Sequence, residues 1–304
     1  MVSLHEFFSY SLESPQKILK CLNPIQSVNI QELILYDANS AFDVKKNSSP
    51  TDKGDYTISD ISLSNAIGGR IQAYYVKPKQ KKQMKAVLFI HWLENHAENS
   101  NRLEFIPLAE RFAKNGVASL LIDCFWSTTP EKFKANPVMW WKTNVEYDVE
   151  LSRVQLIEIK RSIEFLQQDP DIDPNSLVLG AHDFGAMYSM TLASVFSNFK
   201  AYAFMAMTSR FHHWFKFGSK LPTEELDQYA EQTKFLDPIE YVDKINCPTL
   251  FQFSKTDFYV PIPIAEELFK KTRVTKEIKW YDADHGLNDQ AFEDMYQWLS
   301  KYLN

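Results

Sequence analysis

Asp183 holds the clearest chemical promise in this chain because of where it stands. The run Ser176-Leu177-Val178-Leu179-Gly180-Ala181-His182-Asp183-Phe184-Gly185 is apolar and ends in a tight turn. A strand-to-helix turn can hold one side chain up on a strained backbone, provided the residues two before and two after it are small. Ala181 and Gly185 meet that condition, Ala186 follows, and residues 187–196 are apolar enough for a helix buried against a sheet. If Asp183 occupies such a nucleophile elbow, the chain is a hydrolase that attacks with a carboxylate. Attack on an acyl carbon would give a high-energy anhydride, whereas attack on a saturated carbon bearing a halide or an epoxide oxygen gives an ordinary ester. The competing reading is that Asp183 caps the helix, since Asp is among the best N-cap residues.

The surrounding elements come in the order such a turn needs. Residues 1–50 carry no repeating pattern, but Ser14-Pro15 is a helix start signal before Ile18, Leu19 and Leu22, so this stretch reads as a helical N-terminal extension. Ile58, Ile61 and Leu63, a Gly68-Gly69 turn, then Ile71, Ala73 and Tyr75 predict an antiparallel hairpin at a sheet edge. Residues 86–90 are a continuous apolar run, the signature of a strand covered on both faces. Helix-spaced Leu103, Ile106, Leu108, Ala109 and Phe112 follow, closed by Gly116. Strands are expected at 117–122, 176–180, 201–207, 249–253 and 277–281, with helices at 144–167, 265–271 and 289–303. Residues 208–236 form a longer excursion that would cover a pocket. Alternating strands and helices imply one α/β domain over 51–304, a mostly parallel sheet with helices on both faces.

With 304 residues, 45% of them hydrophobic, the chain has enough material for a sizeable core. A formal charge of −6 argues against a nucleic-acid surface, and the Lys-rich residues 77–85 read as a solvated loop. Cys21, Cys124 and Cys247 are odd in number and lack Cys-x-x-Cys spacing, which points away from a disulfide framework and toward a reducing compartment. No segment has the apolar length of a membrane span or signal core, so the expected location is cytoplasmic.

The strings Val87-Leu88-Phe89-Ile90-His91, Asp171-Ile172-Asp173-Pro174, Asp237-Pro238-Ile239 and Asn246-Cys247-Pro248-Thr249-Leu250 make the chain resemble the α/β-hydrolase fold. Its frame is most similar to dienelactone hydrolases and related esterases, over about residues 56–303. In that fold the triad runs nucleophile, acid, base along the chain. The resemblance therefore implies Asp257, after the strand at 249–253, as the acid, and His285, after the last strand, as the base. Each also has a plainer reading, Asp257 as a cap for the helix near Pro261 and His285 as a loop histidine. An Asp183-His285-Asp257 triad would need oxyanion donors from the Phe184 N–H and from the loop after His91, with Leu93 the first choice and Trp92 the second.

The nucleophile departs from the esterase pattern. No Gly-x-Ser-x-Gly occurs, Ser189 and Ser194 fall inside the elbow helix, and Cys124 follows another strand. His182-Asp183-Phe184-Gly185 instead resembles the elbow of epoxide hydrolases and of haloalkane and fluoroacetate dehalogenases. Phe184, however, has neither an indole N–H nor a guanidinium for a halide. Tyr229 is the lone tyrosine in the 208–236 excursion, and His91-Trp92 replaces the usual His-Gly. Three readings stand: an Asp-nucleophile hydrolase acting at a C–O or C–halogen bond of a small organic molecule, an ester or lactone hydrolase with Asp183 as a base for water, and a silent binding relative. No cofactor is implied. Neither His91 and His96 nor His212-His213 has metal-ligand spacing. Trp92, Trp126, Trp140, Trp141 and Trp214 would either line a pocket or complete the core. Oligomeric state is left open.

Overall fold

The computed structural model describes residues 29–79, 82–94, 97–128, 143–196, 198–215 and 221–303. At one sheet edge, β1 (Lys45–Lys46) and β2 (Thr51–Asp52) pair antiparallel with β3 (Tyr56–Ser64), and β3 pairs with β4 (Arg70–Pro78). This is the predicted hairpin. Beyond it lie β5 (Met84–Ile90), β6 (Ala118–Ile122), β7 (Ile172–His182), β8 (Phe199–Met205), β9 (Thr249–Ser254) and β10 (Lys276–Tyr281). The ten strands form one sheet, β4 lying antiparallel to β6 and every pair in the order β6-β5-β7-β8-β9-β10 being parallel. The chain therefore folds as the mixed, mostly parallel α/β sheet that its apolar runs imply.

Helices cover both faces. They are α1 (Ile30–Leu33), α2 (Ile106–Lys114), α3 (Val145–Gln168), α4 (Phe184–Ala193), α5 (His212–Phe215), α6 (Thr223–Thr233), α7 (Ile262–Lys271) and α8 (Asp289–Leu303). On one face α2 and α8 bury Phe112, Met295 and Leu299 against Val87, Phe89 and Val178. On the other, α3, α4 and α7 bury Leu156, Met187 and Leu268 against Leu88, Leu179 and Phe251. Neighbouring residues of β5 and β7 thus feed opposite cores, which is why those strands read as unbroken apolar runs. Asn144 starts α3 by accepting the Tyr147 N–H at 2.9 Å.

Local chemistry explains one departure from the expected pattern. Helix α2 begins at Ile106 rather than near Leu103, because the Asn101 side chain takes the Leu103 N–H at 2.8 Å and holds 101–103 in a turn. That turn leaves Leu103 exposed and points Glu104 inward. Within 29–50, helix is limited to α1, whose Ile30 and Leu33 are buried in the main core, and β1 joins the sheet. The Ser14-Pro15 start lies outside the described residues.

Candidate active site

Strand β7 hands the chain to α4 through Asp183, whose backbone sits at φ 50°, ψ −117°. A non-glycine residue in that region is strained and persists only when its surroundings over-determine it. The constraint is Gly185, where a Cβ would meet the main-chain oxygens of Ile90 and His91 at 2.6 Å. Only glycine lets α4 start this close to the end of β5. The carboxylate makes no capping bond to its own helix, which removes the cap reading. Instead, Oδ2 accepts the Leu93 N–H at 3.1 Å. Oδ1 is buried with no hydrogen-bond partner and faces His285 Nε2, itself unpartnered, across 3.6 Å.

His285 follows β10 in a loop and donates through Nδ1 to Asp257 Oδ2 at 2.7 Å. Asp257 follows β9, and its Oδ1 accepts the N–H groups of Tyr259 and Val260 at 2.8 and 3.1 Å. Burial disfavours an ionised Asp257, but His285 and these amides outweigh it and hold the carboxyl below the usual range. Burial likewise works against an imidazolium at His285. The flanking carboxylates of Asp183 and Asp257 overcome that and raise it from 6.5 to about 10. The 3.6 Å gap to Asp183 is too long for a hydrogen bond, yet short enough for strong charge attraction in a buried setting. The structure brings Asp183, His285 and Asp257 together, although 102 positions separate the first from the second.

The oxyanion candidates divide. The Leu93 N–H points at Asp183. The Trp92 N–H does not, because Glu104 Oε2 takes it at 2.8 Å, so the second-choice donor has another use. Phe184 opens α4, where first-turn amides lack intrahelical acceptors. Its ring is buried against Trp126, Phe211 and Trp214. Trp214 in turn stacks on Tyr259 and meets His285 edge-on, the ring centroids 5.0 and 5.4 Å apart. Aromatic side chains thus wall these three residues, while Trp140 and Trp141 lie outside the described residues. A hollow of about 640 Å³ is lined by Trp92, Asp257, Tyr259, Asp284, His285 and Asn288. A larger one along α6, from Thr223 to Gln232, touches none of Asp183, Asp257 and His285.

Sequence reading missed Glu104. This buried carboxylate binds the Trp92 N–H with one oxygen and His182 Nδ1 with the other, at 2.6 Å, while His182 Nε2 reaches the main-chain oxygen of His285 at 3.3 Å. Trp92 stacks on His182 with ring centroids 5.0 Å apart, and a Cβ on Gly286 would meet that indole at 2.9 Å. One acid thereby ties the loops after β5, β7 and β10. Nothing in its sequence setting, between Leu103 and Phe105, marks it. His91 is buried and pushed down by burial, with Nε2 near the Ser127 hydroxyl at 2.8 Å and Nδ1 donating to the Trp92 oxygen. Burial raises the Cys124 thiol far above its ordinary value, so it is an inert core group. Among the described residues no group of three His, Cys, Asp or Glu side chains is placed to hold a metal ion.

A strained residue at the end of a central parallel strand, faced by a histidine after the last strand and an acid after the one before it, defines the α/β-hydrolase fold. The solved structures agree. An acetyl xylan esterase from Paenibacillus sp. R4 superposes with a TM-score of 0.71 at 15% identity, covering 90% of this chain and 92% of its own. Acetyl xylan esterase 1 from Thermoanaerobacterium sp. JW/SL YS485 gives 0.73 at 12% identity over the same shares. An esterase domain from a Rhodothermus marinus protein gives 0.57 at 20% identity, covering 81% of this chain and 99% of that one. No curated protein matches the sequence significantly. The model of the dienelactone hydrolase family matches residues 71–301, and the chain belongs to that family.

Proposed function

We propose that this member of the family is a hydrolase in which Asp183 attacks a saturated carbon of a small organic substrate and displaces an oxygen or halogen. The observation that carries this reading is the division of labour between the two Asp183 oxygens. Oδ2 already occupies the Leu93 N–H, where an ester's oxyanion would otherwise bind, and Oδ1 is unpartnered beside His285. In-line attack by Oδ1 leaves an alkyl ester on Asp183. Water activated by His285, oriented by Asp257, then attacks the Asp183 carbonyl carbon, and the negative charge develops on the oxygen facing Leu93. The same backbone donor that orients the nucleophile thus stabilises the second transition state.

Ester or lactone hydrolysis, with Asp183 as a base for water, is the second reading. It draws support from family membership and from the esterases among the structural neighbours. One experiment separates the two. His285→Gln, incubated with alkyl halides, epoxides and esters, is expected to accumulate a covalent adduct on the Asp183 peptide, seen by intact-mass and peptide mass spectrometry. Ester turnover by the unmodified chain with no adduct in the variant would transfer the assignment to the second reading.

A further inference from the structure

We propose that His285 acts as an acid first and as a base second, the reverse of its order beside a neutral nucleophile, and that the substrate accordingly carries an oxygen leaving group that needs a proton. The inference rests on Asp183 being the nucleophile. Its basis is the placing of one imidazole between two carboxylates, 2.7 Å from Asp257 and 3.6 Å from Asp183, inside a buried site. Beside a serine, a histidine faces one acid and is neutral at rest. An aspartate at the elbow adds a second negative charge, and the resting imidazole keeps its proton, consistent with the raised value near 10. The other groups around His285 are the His182 ring, bound to Glu104, and the Tyr259 and Trp214 rings. Asp282 is paired with Lys255, and Asp284 adjoins in the same loop. None of these places a positive side chain against the imidazole in competition with its proton.

The proton has a use. When Asp183 Oδ1 forms its bond to carbon, the carbon–oxygen bond of the leaving group breaks, and the departing oxygen takes the bonding pair and then the proton from His285 Nε2. Esterification removes the Asp183 charge, and His285, now neutral beside one carboxylate, is competent to take a proton from water. The hydroxide adds to the Asp183 carbonyl carbon, the tetrahedral species expels the alkoxide, and His285 protonates it. Proton transfer from the new Asp183 carboxyl to His285 restores the resting pair. A halide, a very weak base, has no need of the first proton. Two tyrosines near the elbow helix are committed elsewhere: Tyr229 donates to Asp148 at 2.8 Å, and the Tyr188 hydroxyl pairs with Ser152 at 2.9 Å.

Two measurements test this. Imidazole nitrogen NMR on the unmodified protein should show His285 doubly protonated throughout the neutral range, and Asp183→Asn, near-isosteric and uncharged, should lower its titration by at least about one unit. A neutral His285 at pH 7.5 in the unmodified chain, or an unchanged titration in the variant, would overturn the proposal. In single-turnover mass spectrometry with a terminal epoxide and an alkyl bromide of matched carbon skeleton, His285→Gln should slow Asp183 alkylation by the epoxide about 100-fold or more, the usual worth of a general acid. Alkylation by the bromide should change only a few-fold. Equal effects on both electrophiles would overturn the acid step while leaving the nucleophile assignment intact. No adduct from either, in variant or unmodified protein, would remove the nucleophile and the proposal with it.

Discussion

At the scale of single residues, the site turns on charge. A serine at position 183 would have left His285 a weak base with an ordinary titration, whereas the aspartate makes it one half of a buried ion pair. The consequence for stability has a definite sign. His285 is held above its unfolded value of 6.5, so its contribution is complete below that pH and drains away as pH rises through about 10. Urea unfolding between pH 6 and 10.5 should therefore show a decline in the alkaline half that Asp183→Asn reduces. An equal decline in both proteins would assign the loss to other groups. Tyr229 is a second residue whose chemistry depends on its partner. Burial, then Asp148, raises its hydroxyl far above the ordinary value, and that hydroxyl is committed to Asp148. Tyr229→Phe should cost about 1.5–3 kcal/mol, the worth of a hydrogen bond to a carboxylate, and leave the rate of Asp183 alkylation unchanged. A large loss of alkylation with normal stability would instead make it an acid in that step.

Elements decide whether these residues meet. The elbow is a steric product of β5, β7 and α4: Gly185 lies so near the end of β5 that any side chain collides with backbone, which cannot move out of the way as a flexible side chain can. Gly185→Ala should destabilise the fold by about 1–3 kcal/mol through overpacking. It should also displace Asp183 from the Leu93 N–H, so that adduct formation in a His285→Gln background falls steeply. Thermal melts and adduct mass follow the two effects separately, and full alkylation in a destabilised protein would show that the elbow tolerates the shift. The ends of β9 and β10 are adjacent parallel strands, which is why Asp257 and His285 are neighbours despite lying 28 positions apart.

Over the whole molecule, Glu104 holds loops from three strands in register through the Trp92 amide, His182 and the His285 carbonyl. Glu104→Ala strands two buried partners and should cost about 3–5 kcal/mol, with Glu104→Gln recovering part of it. Chemical denaturation of both variants tests this; a cost under about 1 kcal/mol, the range of exposed pairs, would deny Glu104 its structural weight. Among the described residues no helix is long and apolar enough to cross a membrane.

Much of this was legible in the sequence, for physical reasons. Strands covered on both faces must be apolar throughout, so β5 to β9 announced themselves, and the small residues around Asp183 are required by the turn that they make. The order of Asp183, Asp257 and His285 followed from the fold that those strands imply. What sequence left open was decided by burial and distance: whether Asp183 caps α4, which amide faces it, and what holds the loops. A cap and an elbow share the same letters and differ only in backbone angles and partner, and at Asp183 the backbone lies at φ 50° with Oδ2 on Leu93 and no bond to its own helix. Glu104 was invisible because one inward acid in a turn has no periodicity; only the tertiary fold gives it His182 and Trp92. The sequence determined the frame and the aspartate at its centre, and the tertiary structure decided that this aspartate faces a histidine with one oxygen and a backbone amide with the other.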